Sequence, residues 1–436
     1  MDTLISNVTV MTMNPRADVL FGAYIAVDGG KITYIGKNPP QEKPKTIIDG
    51  TGMVAMPGLI NCHTHLATTM LRSLLDDLPR NEALEQQLSL ESKMDSRCAK
   101  AAALLGIAEC LRFGITSVSD LYYYPAATAE AVAESGIKAN LALSAYRFID
   151  QSEEFDFETD EQCQEFVRVA EKYHGYDGGR IRIDGGIYAE YTSNYKLWEG
   201  LAAYCQEKGL GFQLHLGQTE KEVADCVDRN GLDPAELLGC HGIFRVPVTA
   251  AGCGALSQQD MEFMGKHKAS AVATPLASAK QGDPATPVTQ CVKAGMNVAL
   301  GTGGVCESGN LDMFEVMRGV CLHHAAEKTP LPAAAALMMA TVCGAKAQGR
   351  SEQCGMLEVG MDADIVLVDF SAPHLMPCHN IENGLVYSAK GGDVAMTMVR
   401  GEILYQNGQF PTIDLPQVVQ EITGYAMGRL FDNKER

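Results

Sequence analysis

The two ends of the chain share one hydrophobic pattern. Short segments there are rich in residues that favour β-strands and are separated by turn residues such as Gly29-Gly30 and Asn407-Gly408. This pattern is typical of β-strands joined by turns. The pattern predicts strands over 3–13, 23–28 and 31–36 near the N-terminus, and over 363–369 and 396–405 near the C-terminus. We therefore expect one discontinuous β-sandwich built from both ends of the chain.

The middle of the chain has a different pattern, in which short apolar runs alternate with amphipathic stretches of helical period. Eight alternating units favour a (β/α)8 barrel over an open sheet. The predicted strands lie at 59–61, 116–120, 138–144, 180–185, 211–216, 248–251, 269–273 and 297–300. Helices are predicted at 99–113, 126–135, 163–173, 197–208 and 415–430. The expected domains are a composite sandwich of 1–56 plus 357–412, a barrel of 57–356 and a C-terminal helix within 413–436.

Composition narrows the classes of function. The chain has 436 residues, of which 46% are hydrophobic and 20% charged, as in an ordinary globular protein with a large core. A net charge of −19 argues against nucleic acid or an anionic membrane as partner. No apolar run is long enough to span a bilayer. The fourteen cysteines form no CxxC pair and predict reduced thiols of a cytoplasmic protein.

The candidate chemistry begins at His63-Thr64-His65, which follows Pro57-Gly58 and a short apolar run. On an extended segment, residues i and i+2 point to the same side, so the two imidazoles converge on one point. Two neutral imidazoles at this spacing suit a divalent transition metal. Two ordinary surface histidines are the alternative interpretation. No serine-nucleophile elbow, phosphate loop or dinucleotide fingerprint offers a competing catalytic system.

With the barrel and this segment together, the chain resembles the amidohydrolase superfamily. It is most similar to the branch of methylthioadenosine/S-adenosylhomocysteine deaminases and related chlorohydrolases. The resemblance covers nearly the whole chain. The motifs that carry it lie at 57–65, 71–79, 215–219, 294–302, 310–318, 360–369 and 385–388.

The resemblance implies a ligand set and a substrate class. His63 and His65 match the histidine pair of the first strand, and His215 matches the third histidine ligand, for one divalent metal with zinc expected. A metal-free protein with vestigial histidines remains the alternative. Glu82 matches the glutamate that grips the ribose hydroxyls in nucleoside-processing members, and Tyr188 stands in the substrate motif after the fourth strand. A nucleoside-like ligand and a homodimer or higher homo-oligomer are expected.

The chain departs from the family's pattern at catalytic positions. Gln218 stands where members have a proton-shuttling glutamate, and Gly303 where they have the aspartate that takes the proton of the attacking water. The sixth-strand motif, with two histidines in the family, reads Ala-Gly-Cys-Gly-Ala-Leu-Ser over 251–257, and Ala273 replaces a further histidine. Four residues in loops expected at the barrel mouth are candidate replacements for a lost ligand or base: Cys253, Asp283, Cys306 and Glu307. His241, His323 and His324 are expected outside the site.

Two functions follow as hypotheses. The first is a divergent metal-dependent hydrolase of C–N bonds in purine nucleosides, whose ordinary deamination is weak or absent. The second is a catalytically silent paralogue that binds a small molecule or an active homologue.

Overall fold

The computed structural model describes residues 1–145 and 155–431. Its strands are β1 Thr3–Met11, β2 Val19–Asp28, β3 Lys31–Gly36, β4 Thr46–Asp49, β5 Met53–Pro57, β6 Leu59–His65, β7 Ile115–Tyr122, β8 Lys138–Leu143, β9 Ile181–Gly186, β10 Phe212–Leu216, β11 Val248–Gly252, β12 Ser270–Ala273, β13 Asn297–Leu300, β14 Gly303–Gly304, β15 Ile365–Asp369, β16 Val394–Val399 and β17 Glu402–Gln406.

The α-helices are α1 Arg80–Glu91, α2 Ser96–Arg112, α3 Pro125–Ser135, α4 Glu161–Tyr173, α5 Tyr176–Gly179, α6 Tyr195–Lys208, α7 Glu220–Asn230, α8 Pro234–Cys240, α9 Gln258–Lys266, α10 Pro275–Gln281, α11 Val288–Lys293, α12 Val305–Ser308, α13 Met313–Ala326, α14 Ala333–Met339, α15 Val342–Ala347, α16 Ile381–Asn383, α17 Leu415–Glu421 and α18 Met427–Leu430. A 3-10 helix, Leu66–Leu71, follows β6, and a π-helical turn, Ile422–Ala426, joins α17 to α18.

Strands from both ends of the chain form one sheet, as predicted. Its order is β17-β16-β15-β5-β1-β2-β3, and β4 pairs with β1. The centre of the sheet is β5, which is parallel to β1 on one side and antiparallel to β15 on the other. Alternate residues on its strands, such as Ile5, Ile25 and Ile365, pack into a separate buried cluster. The predicted strand over 396–405 is two strands, because Arg400 and Gly401, with φ of 48° and 80°, form a tight turn.

The second sheet is the predicted parallel barrel. Its order is β13-β12-β11-β10-β9-β8-β7-β6-β14. Strands β13 and β14 are separated by two residues only, and they pair with β12 and β6 respectively. The eighth strand therefore closes the ring. The eight predicted strands are present, and their ends shift by no more than two residues except at β6, which extends to His65.

A buried charge cluster joins the barrel to the other sheet. Lys138 at the start of β8 is 1% exposed, and its Nζ lies 2.7 Å from Asp362 Oδ2 and 2.5 Å from Asp364 Oδ2. Arg350 is equally buried and donates hydrogen bonds to the carbonyls of Ala139 and Arg180. Buried charges are tolerated when they are paired and hydrogen-bonded, as these are. The cluster anchors the segment before β15 to the end of the barrel opposite the histidines.

The structure also bears on two expectations from composition, which concern the cysteines and membrane-spanning segments. None of the fourteen cysteines forms a disulfide, and only Cys240 and Cys378 are exposed. Within residues 1–145 and 155–431, no helix is long and apolar enough to cross a bilayer.

Candidate metal centre and active site

Three histidines meet inside the barrel near the C-terminal ends of its strands. His63 and His65 lie two residues apart on β6 and so face the same side, and His215 lies on β10. The ring centroids are 4.7–5.3 Å apart, and one nitrogen from each ring lies within 4.8 Å of the others. All three side chains are buried. The structure therefore brings together the three residues predicted as metal ligands.

Hydrogen bonds orient two of the rings. Nδ1 of His65 lies 2.7 Å from the carbonyl oxygen of Leu121, and Nδ1 of His215 lies 2.8 Å from that of Tyr188. A carbonyl oxygen only accepts, so Nδ1 carries the proton in both rings and Nε2 keeps its lone pair. Such a bond on the outer nitrogen is the usual way in which a protein orients a metal-binding imidazole. Both lone pairs are thus available to a metal.

The surroundings keep the rings of His63 and His215 neutral. Burial, followed by the neighbouring His215 and His65, holds the pKa of His63 well below its usual range. Burial and the neighbouring His65 lower the pKa of His215 to about 3. A neutral imidazole is the form that binds metal.

The donor set fits a divalent ion. Two nitrogens bound at the usual distance to a tetrahedral zinc lie about 3.3 Å apart. The Nε2 atoms of His63 and His215 are 3.0 Å apart, and the ligand atoms of all three rings lie within 4.8 Å of one another, so the observed spacings lie on both sides of that value. Three imidazoles leave one position open, as in catalytic zinc sites.

An inner and an outer cavity share a boundary beside the histidines. The inner cavity, about 10 Å³, is lined by His63, Gln218, Ala251, Gly252, Thr274, Ala277, Ser278, Gln281, Asp283 and Glu307. The outer cavity, about 220 Å³, is lined by Leu75, Asp76, Leu78, Pro79, Arg80, Ala83, Leu84, Gln87, Tyr188, Gln218, Lys280, Gln281, Cys306 and Glu307. Gln218, Gln281 and Glu307 belong to both, so the larger outer cavity adjoins a recess about the size of one water molecule beside His63.

Gly252 and Gly303 lie at positions where this chain differs from the family's catalytic pattern. At each of them a neighbouring side chain fills the space that a side chain of its own would occupy. A Cβ on Gly252 would lie 2.6 Å from Cγ of Gln218. A Cβ on Gly303 would lie 2.7 Å from Oε2 of Glu307. Both glycines have positive φ, 92° and 71°, which a larger residue adopts only with strain. The space at these two positions is therefore occupied by the polar side chains of Gln218 and Glu307.

Gln218 is held at this boundary by its backbone. The buried carboxylate of Glu222 accepts the N–H groups of Gly217 and Gln218, both at 2.8 Å. These two bonds fix the turn between β10 and α7, and this turn directs Gln218 toward Gly252.

The two remaining residues predicted to bind substrate, Tyr188 and Glu82, lie in different environments. The ring of Tyr188 lies 4.6 Å from that of His215 and lines the outer cavity. Glu82 is exposed in the first turn of α1, whereas Arg80, Ala83 and Gln87 from the same helix line the cavity. Contact between Glu82 and a sugar therefore stays a prediction.

The four candidate replacements for a lost ligand or base differ in whether their side chains reach the cavities. The expectation that Cys253 faces the mouth is wrong, because its thiol is wholly buried and directed at the carbonyl of Ala250, 3.4 Å away. Cys306 lines the outer cavity, but burial and the nearby Glu307 carboxylate raise its pKa well above the usual range. Asp283 reaches the inner cavity as the ion-pair partner of Arg80. Glu307 alone among the four reaches both cavities, where its Oε2 accepts only the N–H of Gly304, at 3.2 Å, among the described residues.

His241, expected outside the site, lies beyond the C-terminal end of α8 and bonds to Glu199. His323 and His324 lie on α13, where they contact Glu327 and Thr329. All three are absent from both cavity linings.

One buried carboxylate near the site was not predicted. Glu91 ends α1, is 4% exposed and accepts a hydrogen bond of 2.9 Å from the hydroxyl of Tyr122. Burial raises its pKa to about 7, against the opposing hydrogen bonds of Tyr122 and Gln87. No sequence signal separates Glu91 from the other polar residues of α1, since only the packing of β7 against it creates the burial.

Comparisons with known proteins agree with the geometry. The model of the amidohydrolase family matches residues 54–404. A 5-methylthioadenosine/S-adenosylhomocysteine deaminase of Thermoanaerobacter pseudethanolicus is 34% identical over 427 residues, covering 97% of this chain and 98% of that protein. A 5'-deoxyadenosine deaminase of Methanosarcina acetivorans is 36% identical over 425 residues, covering 96% of both.

Solved structures are equally similar. An adenosine deaminase from Xanthomonas campestris with bound zinc superposes with a TM-score of 0.90 at 27% identity, covering 98% of each chain. An atrazine chlorohydrolase from Arthrobacter aurescens complexed with zinc has a TM-score of 0.89 over 97% of this chain and all of that one. Its identity of 24% makes that likeness one of fold alone.

Proposed function

This chain belongs to the amidohydrolase family, and on that premise we propose that it binds one divalent metal, zinc, and a purine nucleoside. We further propose that it deaminates such nucleosides much more slowly than its relatives. The observation that carries the metal is the convergence of three buried imidazoles on one point, two of them oriented by backbone carbonyls.

The ligand class is supported by the two adjoining cavities and by the relatives. The deaminases similar to this chain act on methylthioadenosine, S-adenosylhomocysteine or 5'-deoxyadenosine. In this chain, the outer cavity provides carboxylate, ammonium and guanidinium groups from Asp76, Lys280 and Arg80, with the apolar Leu75, Leu78 and Leu84 between them. Such a mixture suits a ligand that has both an apolar ring and several hydroxyl groups.

Slow turnover follows from Gln218. A bound metal would act as a Lewis acid and lower the pKa of water to about 7. Deamination also needs a proton delivered to the purine ring, a service worth roughly 10²–10⁴ in rate. The amide of Gln218 can orient a ligand at the boundary of the two cavities by hydrogen bonding, but it has no ionisable proton to deliver.

The test measures metal content and turnover of the purified protein. We expect about one zinc per chain, bound to His63, His65 and His215, and slow, metal-dependent release of ammonia from methylthioadenosine, S-adenosylhomocysteine or 5'-deoxyadenosine. Metal-free protein that still binds these nucleosides would overturn the hydrolase proposal and support the silent paralogue. Binding of neither metal nor nucleoside would overturn both.

A further inference from the structure

We infer that Glu307 is the proton-accepting carboxylate of this site and faces the metal-binding histidines from the first turn after the eighth strand. The inference rests on the proposed function and names the residue that would perform the water-activating part of it. It follows from charge, from space and from the position of Glu307 in the cavities.

The charge argument begins with the histidines. Three neutral imidazoles bring no negative charge to a divalent ion, so a carboxylate near the open position would be strongly stabilising. Two carboxylates, Asp283 and Glu307, line the inner cavity together with His63. Asp283 is already neutralised by the guanidinium of Arg80. Glu307 forms no ion pair within the part of the chain that the structure describes, so its charge is available to the cavity.

Three other buried carboxylates near the site are already engaged. Glu222 accepts two backbone N–H groups of the turn after β10. Glu91 accepts the hydroxyl of Tyr122 and the amide of Gln87, 3.2 Å away, and lines a different cavity. Asp120 accepts the N–H of Leu66 at 2.7 Å. None of the three lines the cavity that contains His63.

The space argument concerns Gly303. Its missing side chain leaves the volume in which Oε2 of Glu307 lies, 2.7 Å from the Cβ position. The N–H of Gly304 donates to the same oxygen at 3.2 Å and holds the carboxylate there. A Cβ on Gly304 would in turn lie 3.3 Å from a ring carbon of His65, so the residue whose N–H binds Glu307 lies next to one of the three histidines. A carboxylate has about four acceptor sites, so one backbone bond leaves capacity for a water molecule.

Helix capping by itself does not account for this arrangement. Glu307 does occupy the third position of α12, from which a glutamate commonly bonds the N-terminal N–H. That bond accounts for one acceptor site in a helix of four residues. It does not require glycine at 303 with φ of 71°, nor a carboxylate that lines both cavities.

The step assigned to Glu307 balances. A water O–H bond breaks and its proton passes to the carboxylate, while the oxygen bonds to the ring carbon that bears the amino group. The electron pair of the ring C=N bond moves to the ring nitrogen during this addition and re-forms the C=N bond as the C–N bond to the amino group breaks. Ammonia leaves with the proton that Glu307 returns, and the remaining O–H proton moves to the ring nitrogen. One water and one aminopurine thus give one oxopurine and one ammonia.

The test is a double-mutant cycle with zinc affinity as readout, supported by turnover. Apo-protein is titrated with zinc against a chromophoric chelator. Glu307→Gln should weaken zinc binding about 10–100-fold, the range for groups just outside the ligands. Glu307→Asp should recover part of the loss. Glu315→Gln, on α13 outside both cavities, is the matched control and should stay within about twofold of wild type.

The second arm of the cycle is Gly303→Ala. Its new Cβ displaces the carboxylate, so it should weaken zinc binding as Glu307→Gln does. In the Glu307→Gln background it should add little, because the displaced charge is already absent. Additive losses would show that Gly303 acts through backbone strain alone and would overturn the inference.

Different results would overturn the proposed function and the role of Glu307. Wild type that takes up no zinc at the histidines would overturn the proposed function. Wild type that binds zinc, together with a Glu307→Gln variant that binds zinc and turns over equally well, would overturn only the role of Glu307. Thermal unfolding of the apo-forms of Glu307→Gln and Glu307→Asp should match wild type, which excludes misfolding as the cause of a loss in those two variants. Gly303→Ala should unfold at a lower temperature, because a larger residue is strained at a φ of 71°.

Discussion

The Nε2 atoms of His63 and His215 lie 3.0 Å apart, although 152 positions separate the two residues in the chain. Because Nδ1 of His215 carries its proton, its Nε2 is an acceptor, and the metal-free protein can satisfy it only with a proton on Nε2 of His63. A metal ion would replace that shared proton, which in a neutral imidazole passes to Nδ1 of the same ring.

His215→Ala should abolish stoichiometric zinc binding. It removes one of three ligands and leaves two, which do not complete a tetrahedral site. Zinc at a thousandfold excess over its dissociation constant stabilises a protein by about 4 kcal/mol, so the rise in melting temperature on adding zinc should also disappear. Metal analysis and thermal unfolding with and without zinc measure both effects. His241→Ala, which bonds Glu199 outside the site, should retain zinc, and a full zinc complement in His215→Ala would refute the assignment.

Gln218→Glu should speed deamination. The two side chains have the same shape, so a glutamate fits beside Gly252 and restores a group that can move a proton. General acid–base catalysis of this kind is worth roughly 10²–10⁴ in rate. The measurement is kcat/KM for 5'-deoxyadenosine with zinc bound. Gln86→Glu on the exposed side of α1 adds the same charge and should change nothing. An unaltered rate in zinc-loaded Gln218→Glu would mean that another lost group limits turnover.

Lys138→Met should destabilise the fold strongly. It leaves Asp364 buried without its cation and leaves Asp362 with Lys31 alone, and breaking a buried pair costs about 3–5 kcal/mol. Urea denaturation should show a lower midpoint. Adding Asp364→Asn to this variant should recover part of the loss, since one unpaired charge is removed. Lys100→Met, whose partners Glu130 and Glu134 are largely exposed, serves as control with a cost below about 1 kcal/mol.

Asp260 should make stability fall with rising pH. Burial, helped by the charge of Asp233, raises its pKa to about 7, and its Oδ2 has no hydrogen-bond partner among the described residues. The folded protein keeps a proton that the unfolded chain loses near pH 4. The free energy of unfolding therefore declines between about pH 4 and pH 7 on account of this group.

The Asp260→Asn side chain is neutral at every pH. This variant should therefore lack the part of the decline in unfolding free energy that Asp260 causes. Urea midpoints measured at pH 4, 5.5, 7 and 8 should show the variant gaining on wild type up to about pH 7 and keeping a constant advantage above it. Asp228→Asn, an exposed change on α7, should leave the pH profile unaltered. Parallel profiles for Asp260→Asn and wild type would contradict the buried, protonated state.

The limits of prediction from the sequence differ between strands and site. Strands such as β13 were predictable because a parallel strand is covered on both faces and forms a continuous apolar run. The convergence of His63 and His65 follows from strand periodicity alone. The pairing of Arg80 with Asp283 joins residues 203 positions apart, and no local pattern encodes it.

The position of Glu307 shows the same limit. Its residue type suggested a candidate base, but its direction depends on the positive φ and absent side chain of Gly303. In the sequence, the glycines at these positions look like a simple loss of catalytic side chains. In the structure, the side chains of Gln218 and Glu307 occupy the space beside them. The side chains of Gln218 and Glu307 could be placed only once the backbone around both glycines was known.

The central place of β5 in its sheet has a consequence for the newly made chain. One edge of β5 pairs with β1, but the other pairs with β15, which begins more than 300 residues later. During synthesis that edge has no partner until the ribosome has released almost the entire protein. An unpaired, apolar strand edge invites association with other chains. The N-terminal strands are therefore the segment that most needs chaperone protection, and truncation before Ile365 should convert a foldable protein into an aggregating one.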